Sequence, residues 1–451
     1  KFYLRGIMNE KNNKRTIFGW SMYDWANSAY STTTVGALMP AYFGTVVVAE
    51  GGFDMFGINL QADEIWGYAT GFVIFIFFLI FPILGAIADM SGKKREYLRI
   101  FAYGGSLFAT AMYFLTSGDV ILTLILYFLA QFGFVGSLVF YDGLLRDITT
   151  EDTIDQVSTK GYALGYIGGG LQLVLALVIV VYGTGGILPF DPPSWLNEVL
   201  AQRIGIATAG IWWAGFSYFS IKRINVTETT QEIPEETSYL SIGYSNVKQT
   251  LRKVRKHPTL LTFLVAYIFY WDGSQTVINM ASVYVTTVLG LGVLDVTIVY
   301  VIVQAVAFLG AVIAGSLAKR IGPKNTILIC IVIFFLAGNG GAFLPEGELL
   351  PVIGLGCVIG LGMGGIQALS RSMYAMMIPE NSQSEFMGFF SVISKFAAMW
   401  GPIICAAVSQ STGSGRNSLQ VISIAFIIGF VLLWRIDPEN VRISEEEWNA
   451  S

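Results

Sequence analysis

Long runs of apolar residues constrain this chain most. The run IWGYATGFVIFIFFLIFPILGAIA at 65–88 carries no charge, and about 20 mainly apolar residues are enough for a helix to cross the hydrocarbon core of a bilayer. Only 13% of the 451 residues are charged, whereas a soluble globular protein has about 25%. We therefore expect an all-α, multi-pass integral membrane protein that has the lipid bilayer as its solvent.

Twelve segments of the chain are long and apolar enough to be predicted as spans. They lie at 17–48, 65–90, 97–117, 119–146, 157–183, 201–222, 260–289, 294–319, 325–344, 350–377, 386–410 and 417–435. A polar stretch separates the first six from the last six. The predicted domains are an N-terminal six-helix bundle at 1–222, a cytosolic linker at 223–259, a C-terminal six-helix bundle at 260–435 and a cytosolic tail at 436–451.

The placement of lysine and arginine predicts the orientation. If both termini are cytosolic, all of the 27 basic residues except Arg203 and Arg416 fall on the cytosolic side or at the cytosolic ends of spans. Basic residues collect on that side in membrane proteins generally. We expect both termini in the cytosol and a location in the bacterial inner (cytoplasmic) membrane.

The two halves of the chain repeat the same motifs. Gly85 and Gly92, at the end of the second span, recur as Gly315 and Gly322 at the end of the eighth. Polar residues at i, i+3, i+4 and i+7 form a stripe on one face of the first span, and the seventh span repeats the spacing. These two polar stripes are Asp24, Asn27, Ser28 and Ser31, and Asp272, Gln275, Thr276 and Asn279. Duplicated halves are typical of transporters with a substrate site near the middle of the membrane.

Several motifs resemble known families. The plan of twelve spans in two halves, and the loop GAIADMSGKKR at 85–95, resemble the major facilitator superfamily. The blocks YDWANSAY, GYALGYIGGGL, GGIQALSRSMYAMMIPE and EFMGFFSVISKFAAMWGP together resemble the Atg22/UMF1 family, whose fungal members are vacuolar effluxers of amino acids. The resemblance implies two pseudo-symmetric six-helix bundles over the whole chain and, beyond the fold, efflux of amino acids.

The roles of the two aspartates stay open at this stage. In the superfamily, helices 1, 4, 7 and 10 line a central cavity, so the resemblance implies that the two stripes face each other across it. A charged side chain in the middle of a span costs about 2.5–3.5 kcal/mol on insertion scales, so it needs a partner or a use. Asp24 and Asp272 could carry a proton, bind the amino group of a substrate, or cap or gate a helix. Na⁺ is a further candidate, because neighbouring oxygens could ligate it.

Other charged residues are candidates for binding or gating. Gln367 and Arg371 lie in helix 10, where a guanidinium could bind a carboxylate bidentately or form part of a gate. Asp142 and Arg146 stand at i and i+4, which favours a local ion pair at an inner gate. The resemblance implies a second gating element in the loop between helices 2 and 3: Gly85, Asp89, Gly92, Lys93, Lys94 and Arg95.

Several chemistries find no support in the sequence. The three cysteines lie in apolar segments, the one histidine lies in the basic linker, and no GxxxxGK[ST] loop is present, so we expect no metal site and no bound cofactor. No nucleophile with a base and an orienting group indicates an enzyme, and nothing indicates nucleic-acid binding.

The sequence therefore predicts a secondary active transporter that works by alternating access. We expect it to export a small polar metabolite, an amino acid first of all, with protons as one coupling ion. The alternatives are a broad-specificity exporter of drugs or metabolites and a superfamily-like assembly factor or scaffold of a membrane complex. A monomer is the expected state, and a stable partner complex stays open.

Overall fold

The computed structural model describes residues 11–48, 51–55, 57–90, 92–150, 153–185, 191–226, 239–378 and 383–437. They form two compact units. The first unit comprises the described residues of Lys1–Val47 and Ile80–Gly243, and the second unit those of Val48–Leu79 and Tyr244–Ser451. The predicted domain boundaries stay a prediction.

The first unit is built from helices. Its opening stretch changes its winding along its length, in the order α1 (Lys14–Ala29), a π-helical segment (Tyr30–Leu38), α2 (Met39–Tyr42) and a second π-helical segment (Phe43–Val47). The later helices of this unit are the end of α3 (Ala62–Met90), α4 (Lys94–Ala111), a 3₁₀ turn (Met112–Phe114), α5 (Val120–Ile148), α6 (Ile154–Thr184) and α7 (Glu198–Ile221). Because π-helical turns are frequent at functional sites, the opening stretch is of interest beyond its role as a span.

The second unit contains a small hairpin and the remaining helices. Strands β1 (Phe53–Met55) and β2 (Ile58–Leu60) pair antiparallel, with Phe53 opposite Leu60. The start of α3 follows, and α8 (Tyr239–Val254) lies within the predicted linker. The later helices are α9 (Pro258–Thr287), α10 (Val293–Ile321), α11 (Pro323–Gly341), α12 (Leu349–Met377), α13 (Gln383–Ala397), α14 (Trp400–Thr412) and α15 (Gly415–Trp434). A turn separates α13 from α14 within the span predicted at 386–410, and Val392–Thr412 still has the length and hydropathy of one candidate span.

The membrane-spanning character of the fold is confirmed, and the count of twelve spans stays a prediction. Within the described ranges, nine helices are long and apolar enough to cross a membrane. The segments predicted at 17–48, 97–117 and 260–289 are helical but are not among the nine. Two of these three carry the polar stripes, and α4 begins with a charged turn. The other candidate residues lie on α3, α5 and α12, which are among the nine, and at or just before the start of α4.

Glycines set the closest helix contacts in the first unit. A Cβ atom on Gly133 of α5 would overlap the backbone of Gly105 on α4, and one on Gly105 would overlap the indole ring of Trp213 on α7. Small residues let helix backbones approach closely where no hydrophobic effect drives the helices together. Three helices therefore meet at one point because two of them lack a side chain there.

Aromatic rings form the centre of the second unit. Phe390 of α13 lies between Tyr267 of α9 and Tyr374 of α12, with ring centroids 4.5 Å away in both directions. Two hydroxyl contacts secure the same helices, since Tyr267 Oη lies 2.7 Å from Ser394 Oγ and Tyr270 Oη donates to Ser370 Oγ at 2.9 Å. Buried tyrosines usually need such partners, so packing and hydrogen bonding together fix α9, α12 and α13.

We expect Gly133→Ala to destabilise the protein by about 1–3 kcal/mol, the usual cost of overpacking, because the new methyl group would meet backbone atoms that cannot move aside. Gly104→Ala is the matched control, since a Cβ there meets nothing within 4 Å. Thermal unfolding of the purified protein in detergent measures the difference. Equal midpoints for the two variants would contradict the close contact.

Candidate functional site

Asp24 lies half-buried on α1 and bonds to a tyrosine of α5. Tyr141 Oη donates to Asp24 Oδ2 at 2.8 Å. Trp20, one turn before Asp24, donates its indole N–H to the backbone oxygen of Tyr141 at 2.9 Å and stacks on the tyrosine ring with centroids 4.2 Å apart. The stack and the two hydrogen bonds fix the tyrosine hydroxyl where it meets the carboxylate.

Glycines of α6 make room for the polar face of α1. A Cβ atom on Gly161 would lie 2.6 Å from Asp24 Oδ2, and one on Gly165 would lie 2.8 Å from Ser28 Oγ. The next turn of α6 is equally close, because a Cβ on Gly169 would lie 2.8 Å from Thr32 Oγ1. The sequence blocks YDWANSAY and GYALGYIGGGL are therefore the two sides of one helix contact.

The other residues of the first polar stripe have different surroundings. Asn27 is 3% exposed and lies one turn from both Tyr23 and Tyr30, which contact Trp213 of α7: the Trp213 indole donates to Tyr23 Oη at 3.3 Å, and its ring stacks on Tyr30. Ser31 Oγ donates to the backbone oxygen of Ser28 at 3.2 Å. The structure thus keeps Asp24 and Ser28 together at the α6 contact and places Asn27 in a buried aromatic region.

Asp272 on α9 caps another helix. It is 6% exposed, and its Oδ1 accepts the backbone N–H of Gly401, the second residue of α14, at 2.8 Å. The first amides of a helix have no partner within the helix, and a negative charge is favourable at that end. The break between α13 and α14 therefore exposes an amide inside the unit, and the carboxylate satisfies it.

The second polar stripe repeats the glycine contact of the first. A Cβ on Gly401 would lie 3.1 Å from Asp272 Oδ1 and would overlap Thr276 Oγ1, which donates to the backbone oxygen of Asp272 at 2.7 Å. Gln275 and Asn279 are partly exposed on the same helix. In each unit, then, an aspartate of the stripe and the residue four positions later pack against glycine on a neighbouring helix.

Helix α12 carries the remaining binding candidates. Gln367 is partly exposed and Arg371 is exposed. Ser370, between them, accepts from Tyr270 and donates to the backbone oxygen of Ile366 at 2.6 Å. The structure therefore places the guanidinium away from the buried side of α12, which packs on α9.

The loop before α4 connects three helix ends of the first unit. Gly92 has φ of 60°, in the left-handed region that favours glycine. Lys94 Nζ pairs with Asp147 Oδ2 at 2.8 Å, and Arg95 Nε donates to the backbone oxygen of Ile221 at 3.1 Å. The start of α4 is thereby joined to the ends of α5 and α7, an arrangement that suits the expected gate.

The other gating candidates have different surroundings. Gly85 has open space where a side chain would stand, and Lys93 and Asp142 are exposed. The side chains of Asp89 and Arg146 lie outside the described residues, so their predicted pairing stays a prediction. Among the described residues, no three His, Cys, Asp or Glu side chains come together as a possible metal site.

Three residues that contact the candidate site residues were not predicted from the sequence. Asp147 pairs with Lys94, but it ends the run YDGLLRD, in which the i, i+4 spacing drew attention to Asp142 and Arg146. Tyr141 begins the same run and gave no separate signal. Gly401 follows an apolar stretch, and only the break in the helix makes its amide available.

Comparison with known proteins gives consistent results. The family model "Vacuole effluxer Atg22 like" matches residues 12–446. The MFS-type transporter YxiO of Bacillus subtilis is 31% identical over 95% of this chain and 96% of its own length. Autophagy-related protein 22 of Coccidioides immitis is 20% identical over 96% of this chain and 88% of its own. A crystal structure of a D-xylose-proton symporter matches with a TM-score of 0.67 at 13% identity, covering 95% of this chain and 98% of that one. The predicted major facilitator fold is confirmed.

We expect Gly161→Ala to displace the Asp24 carboxylate and to destabilise the protein by about 1–3 kcal/mol, because the new methyl group would lie only 2.6 Å from Asp24 Oδ2. Gly170→Ala on the same helix is the control, since a Cβ there meets nothing within 4 Å. Thermal unfolding of both variants measures the effect. A Gly161→Ala protein as stable as Gly170→Ala would be inconsistent with this packing.

We expect Lys94→Gln and Asp147→Asn to be coupled in stability by up to about 1 kcal/mol, a value that suits a partly exposed ion pair. A double-mutant cycle from thermal unfolding at low and high salt measures the coupling, which should shrink as salt rises. A cycle of Lys94→Gln with Asp191→Asn, an exposed aspartate of the same unit, serves as the control and should give no coupling. Similar values in the two cycles would argue against the pair.

Proposed function

The chain belongs to the family of vacuole effluxer Atg22-like proteins, and from this membership we propose that it is a secondary active transporter that exports small polar metabolites by alternating access. We propose amino acids as the first substrate class and proton coupling through Asp24 or Asp272. The membrane location, the transporter class and the fold agree with its relatives. The substrate, the direction and the coupling ion are the proposed part.

One observation carries the proposal: among the described residues, each unit holds an aspartate on the helix of a polar stripe with no cation paired to it. In the described part of the chain, neither Asp24 nor Asp272 forms an ion pair. Their partners are a neutral hydroxyl and a neutral backbone amide. An unbalanced carboxylate in the membrane is costly and is retained mainly where function needs it. A proton, or the ammonium group of a solute, would offset that cost.

The contact of Asp272 offers a physical link between ion binding and helix movement. The ionised carboxylate accepts the Gly401 N–H and balances the positive end of α14. A proton on the carboxylate removes the charge and so weakens both interactions. The contact between α9 and α14 would then depend on the protonation state, as coupling requires, because an ion drives a movement only if it interacts differently with the two states.

Two further features support amino acids and export. Arg371 on α12 is an exposed guanidinium, and arginine binds carboxylates with two parallel hydrogen bonds. The family description speaks of vacuole effluxers, which supports export rather than uptake as the direction of transport. An exporter of lipophilic compounds would have no need of Arg371. The effect of replacing Arg371 therefore distinguishes amino-acid export from the export of lipophilic compounds.

We expect Asp24→Asn or Asp272→Asn to abolish net transport driven by a proton gradient while solute exchange continues, because the amide cannot exchange a proton at neutral pH. Purified protein in liposomes is assayed for gradient-driven uptake and for counterflow with a labelled amino-acid panel. Asp191→Asn, an exposed aspartate, is the control. If gradient-driven transport survives in both variants, proton coupling at these sites is wrong.

We expect Arg371→Gln to weaken amino-acid counterflow at least about tenfold, since hydrogen bonds to charged groups contribute about 1.5–3 kcal/mol. Arg320→Gln is the control, because Arg320 is also exposed and lies in the same unit. Unchanged counterflow in Arg371→Gln would argue against carboxylate recognition by this residue. The absence of any amino-acid signal in the wild type would overturn the substrate class.

A further inference from the structure

The second unit contains a pocket that the proposed function does not use. It lies among α9, α10, α11, α12 and α15 and has a volume of about 100 Å³. Most of its wall is aliphatic, including Val277, Ala281, Val303, Ile359 and Met363. Three glycines also line it, so part of the space exists because side chains are missing there. No charged side chain is among the described residues that line it.

Two polar side chains in this wall have no hydrogen-bond partner among the described residues. Tyr300 and Gln304 lie one turn apart on α10 and both line the pocket. Neither the Tyr300 hydroxyl nor the Gln304 amide forms a hydrogen bond with a described residue. The other tyrosine of the pocket differs, because Tyr284 Oη donates to the backbone oxygen of Gly341 at 2.9 Å. The pocket thus offers one hydroxyl and one amide on a single side.

An aliphatic wall with two polar side chains indicates a ligand that has an aliphatic part and a polar part. Tyr300 and Gln304 are half-buried, and a polar group against an apolar wall is favoured by a hydrogen bond, so the Gln304 amide and the Tyr300 hydroxyl suit a ligand that supplies one. Water alone fits poorly, because an ordered water needs two to four polar contacts and most of the wall is aliphatic. A molecule with an aliphatic part and one hydrogen-bonding group would satisfy both the wall and the two polar side chains.

The volume of the pocket and the lack of charge among its described residues limit the size and the charge of the ligand. An apolar cavity of about 150 Å³ takes up benzene, so by proportion a cavity of about 100 Å³ suits a branched aliphatic group of roughly four carbons, such as an isobutyl group. An ionised group is excluded, since no opposite charge in the wall would balance it. We propose that this pocket binds a compact, uncharged aliphatic group that carries one hydrogen-bonding group, with Gln304 and Tyr300 as its polar contacts.

The ligand has two possible sources. It is either a separate neutral molecule or the aliphatic part of the transported solute. The second source is open because Ile278 lines the pocket and stands between Gln275 and Asn279 of the second polar stripe. The binding site itself does not depend on the proposed function, because a binding measurement needs no transport.

The test uses isovaleramide as the probe and the full chain in lipid nanodiscs. Saturation-transfer NMR should show binding to the wild type. Ala281→Leu fills the pocket and should weaken binding at least about tenfold, the effect of one misplaced methylene or more. Gln304→Leu removes the amide and should weaken it to a similar degree. Isovalerate, which differs by its charge, should not bind.

The matched control is Ala305→Leu, which adds the same bulk at an exposed position next to Gln304 and should bind like the wild type. Each variant is first compared with the wild type in thermal unfolding. If Ala281→Leu does not fold, Gln304→Leu and Tyr300→Phe carry the test. No binding to the wild type, or equal binding to Ala281→Leu and Ala305→Leu, would overturn the proposal.

A competition experiment distinguishes the two sources. If a transported solute displaces isovaleramide from the wild type, the pocket holds the aliphatic part of that solute. If isovaleramide stays bound at saturating solute, the pocket serves a separate neutral ligand. If the proposed function is wrong but the pocket proposal is right, the protein will not transport amino acids but will still bind isovaleramide.

Discussion

The cost of holding a carboxylate in a membrane helix is the constraint on which the candidate site depends. The bilayer offers no water to such a group, and the described residues supply neither Asp24 nor Asp272 with a cation. Each unit meets the cost with a neutral donor, the Tyr141 hydroxyl in one case and the Gly401 amide in the other. These arrangements tolerate the charge without neutralising it, so the carboxylates remain available to a proton or a solute.

Glycine makes both arrangements possible. A side chain on Gly161 would collide with Asp24 Oδ2, and one on Gly401 would collide with Thr276 Oγ1 beside Asp272. The same device brings α4 and α5 together at Gly105 and Gly133. In a membrane the hydrophobic effect does not press helices against each other, so close backbone approach and hydrogen bonds must hold them. The glycine-rich blocks of the sequence are therefore packing surfaces, and two of them also shape the surroundings of the carboxylates.

Much of the fold followed from local patterns, whereas the contacts did not. Long apolar runs predicted the helices, and the motif GAIADMSGKKR indicated a loop before α4, in which Gly92 has a positive φ. The π-helical segments after Ala29 and the break between α13 and α14 were not predicted, because a pattern within one segment gives neither the winding of its helix nor its contacts. For the same reason the i, i+4 rule drew attention to Asp142 and Arg146 and missed the longer-range pair of Lys94 with Asp147.

The sequence by itself determined the class of the protein. The length of the apolar runs sets the type of element, and the repeated polar stripes mark the segments of each half that are less apolar than a lipid-facing helix. Only the tertiary structure decided what the stripes contact. The spacing of Asp24, Asn27, Ser28 and Ser31 puts them on one face of a helix, but it cannot say that α6 brings glycines to Asp24 while α7 brings aromatic rings near Asn27. Helical periodicity is a property of one segment, whereas a hydrogen-bond partner or a pocket depends on which other segments fold against it.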